Sequence, residues 1–195
     1  MKFFVLALAA LLPCLAASSD ADPGKSVGSP NAPIRIEVFS DFECPGCKGL
    51  HEQLLPLLFK DYVIPGKVYL VSREFPLPMH PYSREAANYA TAAARVGKYQ
   101  QVADALFLSQ VAWAASGKVW DTVAHVLTPE EARKVQTLVK DPSVLSEVQR
   151  DVGAGTAAGI NQTPTMIVTR GTKQFPVVGM VNYTLLRSLL DGLLK

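Results

Sequence analysis

Cysteine is scarce in this chain: three residues in 195, at positions 14, 44 and 47. That excludes a scaffold stapled by disulfides, and with no second Cys-x-x-Cys pair any zinc site lacks two of its usual sulfur ligands. Charge of one sign is lacking as well. Nineteen Lys and Arg stand against 17 Asp and Glu, a formal net charge of +2. No basic run is present to track a phosphate backbone, so nucleic acid is not an implied partner. There is no internal repeat, and no apolar run is long enough for a comfortable transmembrane helix.

What is present is Cys44-Pro45-Gly46-Cys47, directly after the apolar run from Ile34 to Phe39. A pair of this spacing where a strand hands over to a helix puts one sulfur at the helix N-terminus. Unpaired backbone N–H groups and the macrodipole there favour a thiolate. Pro45 suits the first helical position, because its φ is already helical and its missing N–H would have had no intrahelical partner. A low-pKa sulfur is a reactive nucleophile and a good leaving group, the two properties that thiol–disulfide exchange demands. A c-type haem would need His directly after the second cysteine, where the chain has Lys48. A purely structural disulfide here would close a two-residue loop and constrain almost nothing. One alternative stays open, a metal held by Cys44, Cys47 and His51 with a fourth ligand from His80, His125 or a carboxylate. The expectation is no metal and no cofactor.

The N-terminus points to export. Met1-Lys2 is a short basic segment, Phe3 to Leu12 an apolar one, and Ala16-Ala17-Ser18-Ser19 a small-residue cleavage zone, so residues 1–17 read as a signal peptide. An uncleaved anchor or a lipidated Cys14 is the alternative, although Pro13 departs from the small residue that a lipoprotein signal wants before its cysteine. Cleavage leaves Cys44 and Cys47 as the only thiols. Residues 18–33, small, polar and rich in Pro and Gly, read as a flexible leader.

Along the rest of the chain, Ile34 to Phe39 and Lys67 to Phe75 read as strands on either side of a helix that starts at Glu43 or Cys44 and kinks at Pro56. Ser83 to Val96 and Tyr99 to Trp113 are helical. Thr128-Pro129-Glu130-Glu131 carries a capping box, and Asp141-Pro142 opens another helix. Thr165 to Thr169 and Gln174 to Val178 form a hairpin, and Asn182 caps a last amphipathic helix. Without its central helical block of about seventy residues, the chain is a small α/β layer fold built on a right-handed crossover.

Several stretches carry a family resemblance: Phe39-Ser40-Asp41-Phe42-Glu43-Cys44-Pro45-Gly46-Cys47, Arg73-Glu74-Phe75-Pro76-Leu77 with His80-Pro81, Gly159-Ile160-Asn161-Gln162-Thr163-Pro164-Thr165, and Val178-Gly179. From Ile34 to Lys195 the chain resembles the disulfide-bond oxidoreductase A (DsbA) family. The resemblance implies an α/β thioredoxin-like fold with an inserted all-helical subdomain. Residues 34–80 would be its first half with the CxxC, 81–158 the insertion, and 159–195 its second half. It implies that Cys44 is the exposed nucleophile and Cys47 the buried resolving thiol, together the redox-active disulfide. It implies that Pro164 is a cis-proline beside them and that Thr163 and Pro164 form a substrate-binding loop.

Two positions depart from the family pattern. Gly46 stands where the best-known oxidases have a His that lowers the nucleophile's pKa further. Val38 stands where the family often buries an acid as a proton shuttle, while Glu37 points to the other face and reads as a partly exposed or locally paired carboxylate. His80 reads as a capping or loop residue, and Trp113 and Trp120 as core of the insertion. The expectation is a monomeric periplasmic, or otherwise extracytoplasmic, oxidoreductase that introduces disulfides into exported proteins. A quinone-linked membrane oxidoreductase, DsbB-like or VKOR-like, would reoxidise it. The alternatives are a disulfide isomerase or reductase, and a non-catalytic metal-binding or peptide-binding module.

Overall fold

The computed structural model describes residues 23–195. The signal peptide, Cys14 and the first part of the leader lie outside the described residues. The strands are β1 (Ser26–Val27), β2 (Ile34–Ser40), β3 (Val68–Glu74), β4 (Thr165–Arg170) and β5 (Lys173–Val178). They form one sheet in the order β1-β3-β2-β4-β5. β2 and β3 run parallel, with Val38 opposite Ser72 and Ser40 opposite Glu74, and every other neighbouring pair is antiparallel. Parallel neighbours need a crossover, here α1, a continuous helical stretch over 45–63. At Pro56, where the sequence predicts a kink, the helix instead continues between two π-helical turns, Leu50–Leu54 and Phe59–Val63. A wider turn before Pro56 relieves the clash that its ring makes with the carbonyl four residues back.

Between the third and fourth strands lie six helices: α2 (Ser83–Ala94), α3 (Tyr99–Leu108), α4 (Gln110–Ser116), α5 (Val119–His125), α6 (Pro129–Leu138) and α7 (Pro142–Ala157). The chain closes with α8 (Tyr183–Leu193). The fold is thioredoxin-like with a helical insertion. Local signals set several helix starts: Thr128 and Glu131 make the reciprocal capping box, Asp141 accepts from Ser143 N–H, and Asn182 accepts from Thr184 N–H. The helix expected from Tyr99 to Trp113 breaks at Ser109, and α5 carried no local signal strong enough to read.

One hydrophobic core fills the space between the sheet, α1 and α8, around Ile36, Val38, Leu54, Leu58, Met166 and Leu190. A second lies within the insertion around Val102, Leu106, Trp113, Val123 and Val144, and reaches Phe42, Cys44 and Cys47. The CxxC therefore sits on the seam between the two. Trp113 is buried, as expected, and its indole N–H donates to the Leu106 carbonyl at 2.7 Å; Trp120 stacks near Tyr89 at the core's margin.

The leader needs correcting. From Pro23 on it is part of the domain: Pro23–Lys25 forms a 3-10 turn, β1 pairs with β3, and Lys25 is buried. Its ammonium meets Glu147 at 2.9 Å and Asp151 at 2.5 Å, both on α7. Composition marks this stretch as a linker, yet two carboxylates on one buried cation hold it down.

Where α7 crosses the sheet it does so on Gly155. A Cβ there would come within 2.6 Å of Phe75 and 3.0 Å of Phe39. Gly155→Ala should therefore cost about 1–3 kcal/mol despite alanine's better helix propensity, because rigid rings must move. Urea unfolding reads this, and an unchanged or higher midpoint would show that the rings yield freely.

Among the described residues no helix is long and apolar enough to cross a membrane.

Candidate redox site

Cys44 is the N-cap of α1, with Pro45 at the first helical position and the Cys44 carbonyl accepting the Lys48 N–H at 3.1 Å. The strand–turn–helix order alone sets this placement. The two sulfurs are not bonded to each other in this structure. Cys44 retains slight exposure at 8%, whereas Cys47, one turn inside, has none.

The two sulfurs differ sharply in acidity. The Cys47 thiol hydrogen-bonds the Cys44 sulfur, outweighing burial, and the backbone N–H groups of Cys47 and Gly46 add to the effect. The Cys44 pKa falls to about 5. Burial pushes the Cys47 thiol up, and the neighbouring Cys44 charge pushes it further. Against that, the Ser40 side chain and the Asp41 N–H, 3.3 Å from Cys47 Sγ, stabilise its thiolate. At neutral pH one sulfur is thus a thiolate and its neighbour a thiol.

Thr163 and Pro164 come to this site from more than a hundred residues away. When protonated, Cys44 Sγ donates to the Thr163 carbonyl at 3.3 Å, and the Thr163–Pro164 bond is cis, as the resemblance implied. Gly46 also has a steric reason for lacking a side chain. A Cβ there would lie 3.1 Å from Pro164 Cδ and 3.7 Å from Cys44 Sγ, with Met180 just beyond.

Three residues support the site through contacts that the sequence did not show. Asp41 is buried at 1% and accepts from Glu43 N–H at 2.8 Å, Leu77 N–H at 2.7 Å and Ser83 Oγ at 2.5 Å, with His80 Nδ1 at 2.8 Å. It ties the loop ahead of Cys44 to the loop that enters the insertion. The bond to Glu43 is an Asx turn, a local pattern that could have flagged Asp41; its long-range partners left no trace. His80 is accordingly a loop residue paired to Asp41. Gln110, on α4, donates to the carbonyls of Phe42 at 2.6 Å and Cys44 at 3.0 Å. Glu43, beside the nucleophile, accepts from the Tyr82 N–H at 2.7 Å.

The remaining candidates lie apart. Glu37 is locally paired: Arg73 Nη2 reaches it at 2.7 Å and Arg35 at 3.2 Å. Burial would raise its carboxyl, but hydrogen bonds from the two arginines outweigh this and hold it below the usual range. His51 pairs with Asp104 at 2.8 Å and stacks on Phe107 rather than joining the cysteines in a ligand cluster. No group of three or more His, Cys, Asp or Glu among the described residues is arranged to hold a metal.

Residues 20–174 match the thioredoxin family model. A probable disulfide bond formation protein D of Bacillus cereus is 38% identical over 52 residues, covering 27% of this chain and 24% of that protein. The Na(+)/H(+) antiporter NhaA 3 of Salinispora tropica is 37% identical over 92 residues, covering 47% of this chain and 14% of that protein. This chain thus spans under a quarter of the length of these curated relatives. The crystal structure of Pseudomonas aeruginosa DsbA2 superposes with a TM-score of 0.71 at 24% identity, over 87% of this chain and 93% of that one.

Proposed function

Because the chain belongs to the thioredoxin family, we propose that it is a thiol–disulfide oxidoreductase acting outside the cytoplasm, which passes the Cys44–Cys47 disulfide to exported proteins. One observation carries the reading: two adjacent sulfurs held at opposite acidities, the acidic one at a helix N-terminus against the Thr163–Pro164 loop. In the oxidised protein a substrate thiolate attacks Cys44 Sγ, and the Cys44–Cys47 bond breaks with its electron pair on Cys47. A second substrate thiol then attacks the mixed disulfide and Cys44 leaves as a thiolate. The stability of that thiolate drives the transfer forward. The Thr163 backbone is the edge on which an extended substrate segment would align. Reoxidation falls to a quinone-linked membrane oxidoreductase, and the working unit is a monomer.

The Cys44 pKa lies between those of thioredoxin and the strongest oxidases, which places the expected potential between about −270 and about −120 mV. Equilibration with defined glutathione ratios measures it. A value below that of thioredoxin would favour a reductase, and a pair that never forms a disulfide while the purified protein carries stoichiometric metal would favour the metal-binding module.

A further inference from the structure

At the start of α4 the usual burial preference is reversed. Gln110 is buried, 4% exposed, while the apolar Val111 beside it is 78% exposed and Leu108, just ahead, 68%. A buried amide is costly unless hydrogen bonds compensate. Here the compensation comes from the redox site. Gln110 Nε2 donates to the carbonyls of Phe42 at 2.6 Å and Cys44 at 3.0 Å, two acceptors for the two N–H donors of an amide. Those carbonyls stand on either side of Glu43, so one planar group grips the backbone that leads into the nucleophile. The grip has a firm base. Trp113, one turn further along α4 on the same face, is buried and donates to the Leu106 carbonyl. On the loop side the Phe42 ring packs on Phe107, with centroids 4.8 Å apart.

We propose that Gln110 is a positioning residue through which the helical insertion sets the acidity of Cys44. The inference rests on the oxidoreductase reading above. The Cys44 carbonyl that accepts from Gln110 also accepts the Lys48 N–H at 3.1 Å, so the backbone of the nucleophile is tied to the insertion and to the first turn of α1 at one oxygen. The residue is thereby held at φ −73° and ψ 122°, with its sulfur within reach of the Gly46 and Cys47 N–H groups that stabilise its thiolate. Hydrogen bonds weaken steeply as distance and angle drift, so a loop freed from Gln110 gives up part of that stabilisation. The leaving ability of Cys44, and with it the oxidising strength of the pair, follows the stability of the thiolate. A glutamine that only filled the seam would instead support the reduced and oxidised forms alike.

The test compares the wild type with two variants. Gln110→Met keeps the length of the side chain and removes both donors. Gln110→Asn keeps the amide but is one methylene too short to hold both carbonyls. Ultraviolet absorbance of the thiolate titrates Cys44, equilibration with glutathione gives the redox constant of the Cys44–Cys47 pair, and thermal melts follow both redox forms. Gln110→Met should raise the Cys44 midpoint above its value of about 5, a loss of about tenfold in acidity, and shift the glutathione equilibrium at pH 7 toward the disulfide by a similar factor. The melt of its reduced form should fall further than that of its oxidised form. Gln110→Asn should move each reading the same way by less, and it carries the test alone if Gln110→Met does not fold. Wild-type acidity and equilibrium in the folded variants overturn the proposal and leave Gln110 a structural residue. So does a shift that comes with fast alkylation of Cys47, because the insertion has then come away from the site as a whole. Failure of the oxidoreductase reading shows separately, as a wild-type protein that forms no Cys44–Cys47 disulfide from oxidised glutathione.

Discussion

Iodoacetamide should label the reduced protein at Cys44 on the order of a hundredfold faster than at Cys47 at pH 7. With a pKa of about 5, Cys44 is almost wholly thiolate at that pH, while the Cys47 thiol, raised by burial, is almost wholly protonated. A low-pKa thiolate is intrinsically less nucleophilic, which erodes the advantage without cancelling it, and Cys47 has no exposed surface. The labelling rate should fall to half its plateau near pH 5. Mass spectrometry of labelled peptides reads the selectivity, and equal labelling of the two would reverse the assignment of nucleophile and resolving thiol.

The same acidity makes the reduced protein's stability depend on pH. The folded pKa of Cys44 lies below its ordinary value of 9.0, so ionisation favours the folded reduced state. That contribution is complete above about pH 9 and shrinks as pH falls, until it is gone below about 5. Cys47 shifts the other way and detracts only above its ordinary pKa. Between pH 5 and 9 the stability gap between reduced and oxidised forms should therefore move in favour of the reduced form as pH rises. Thermal melts of both forms across that range measure the slope.

Replacing Asp151 with Ala should destabilise the fold by about 3–5 kcal/mol, the cost of breaking a buried ion cluster by removing one partner. Asp151 accepts from Lys25 at 2.5 Å, from Arg73 at 2.9 Å and from the Glu74 N–H at 3.1 Å, so three donors from two elements lose their acceptor. Lys25 retains Glu147 and Arg73 retains Glu37, which places the loss toward the lower end. Urea unfolding gives the figure. A loss under about 1 kcal/mol would mean that the pairing of β1 with β3, the Lys25–Glu147 contact and packing seat the 23–27 segment without Asp151.

The leader is where reading from sequence stopped short. Gly, Ser and Pro between 18 and 33 carry no periodicity, and nothing local distinguishes a linker from a segment pinned by one lysine. The π-helical turns that flank Pro56 and the break at Ser109 are likewise settled by what packs against them. The capping box at Thr128, the Asp141 and Asn182 caps and the hairpin at Gly171 were legible because each is complete within a few residues.

By itself the sequence determined that two cysteines flank the first turn of a helix leaving a buried strand, since the spacing, Pro45 and the apolar run are local and act on the chain directly. It also determined the α/β order and the helical insertion. Only the tertiary structure decided how acidic each sulfur is. It brought Thr163 across 119 positions to Cys44, buried Cys47 against the insertion, and gathered Lys25, Glu74, Tyr99 and Asp151 from four separate elements around one interior site. Acidity follows from desolvation and neighbouring charge, and both are properties of packing between segments that the order of residues along the chain does not reveal.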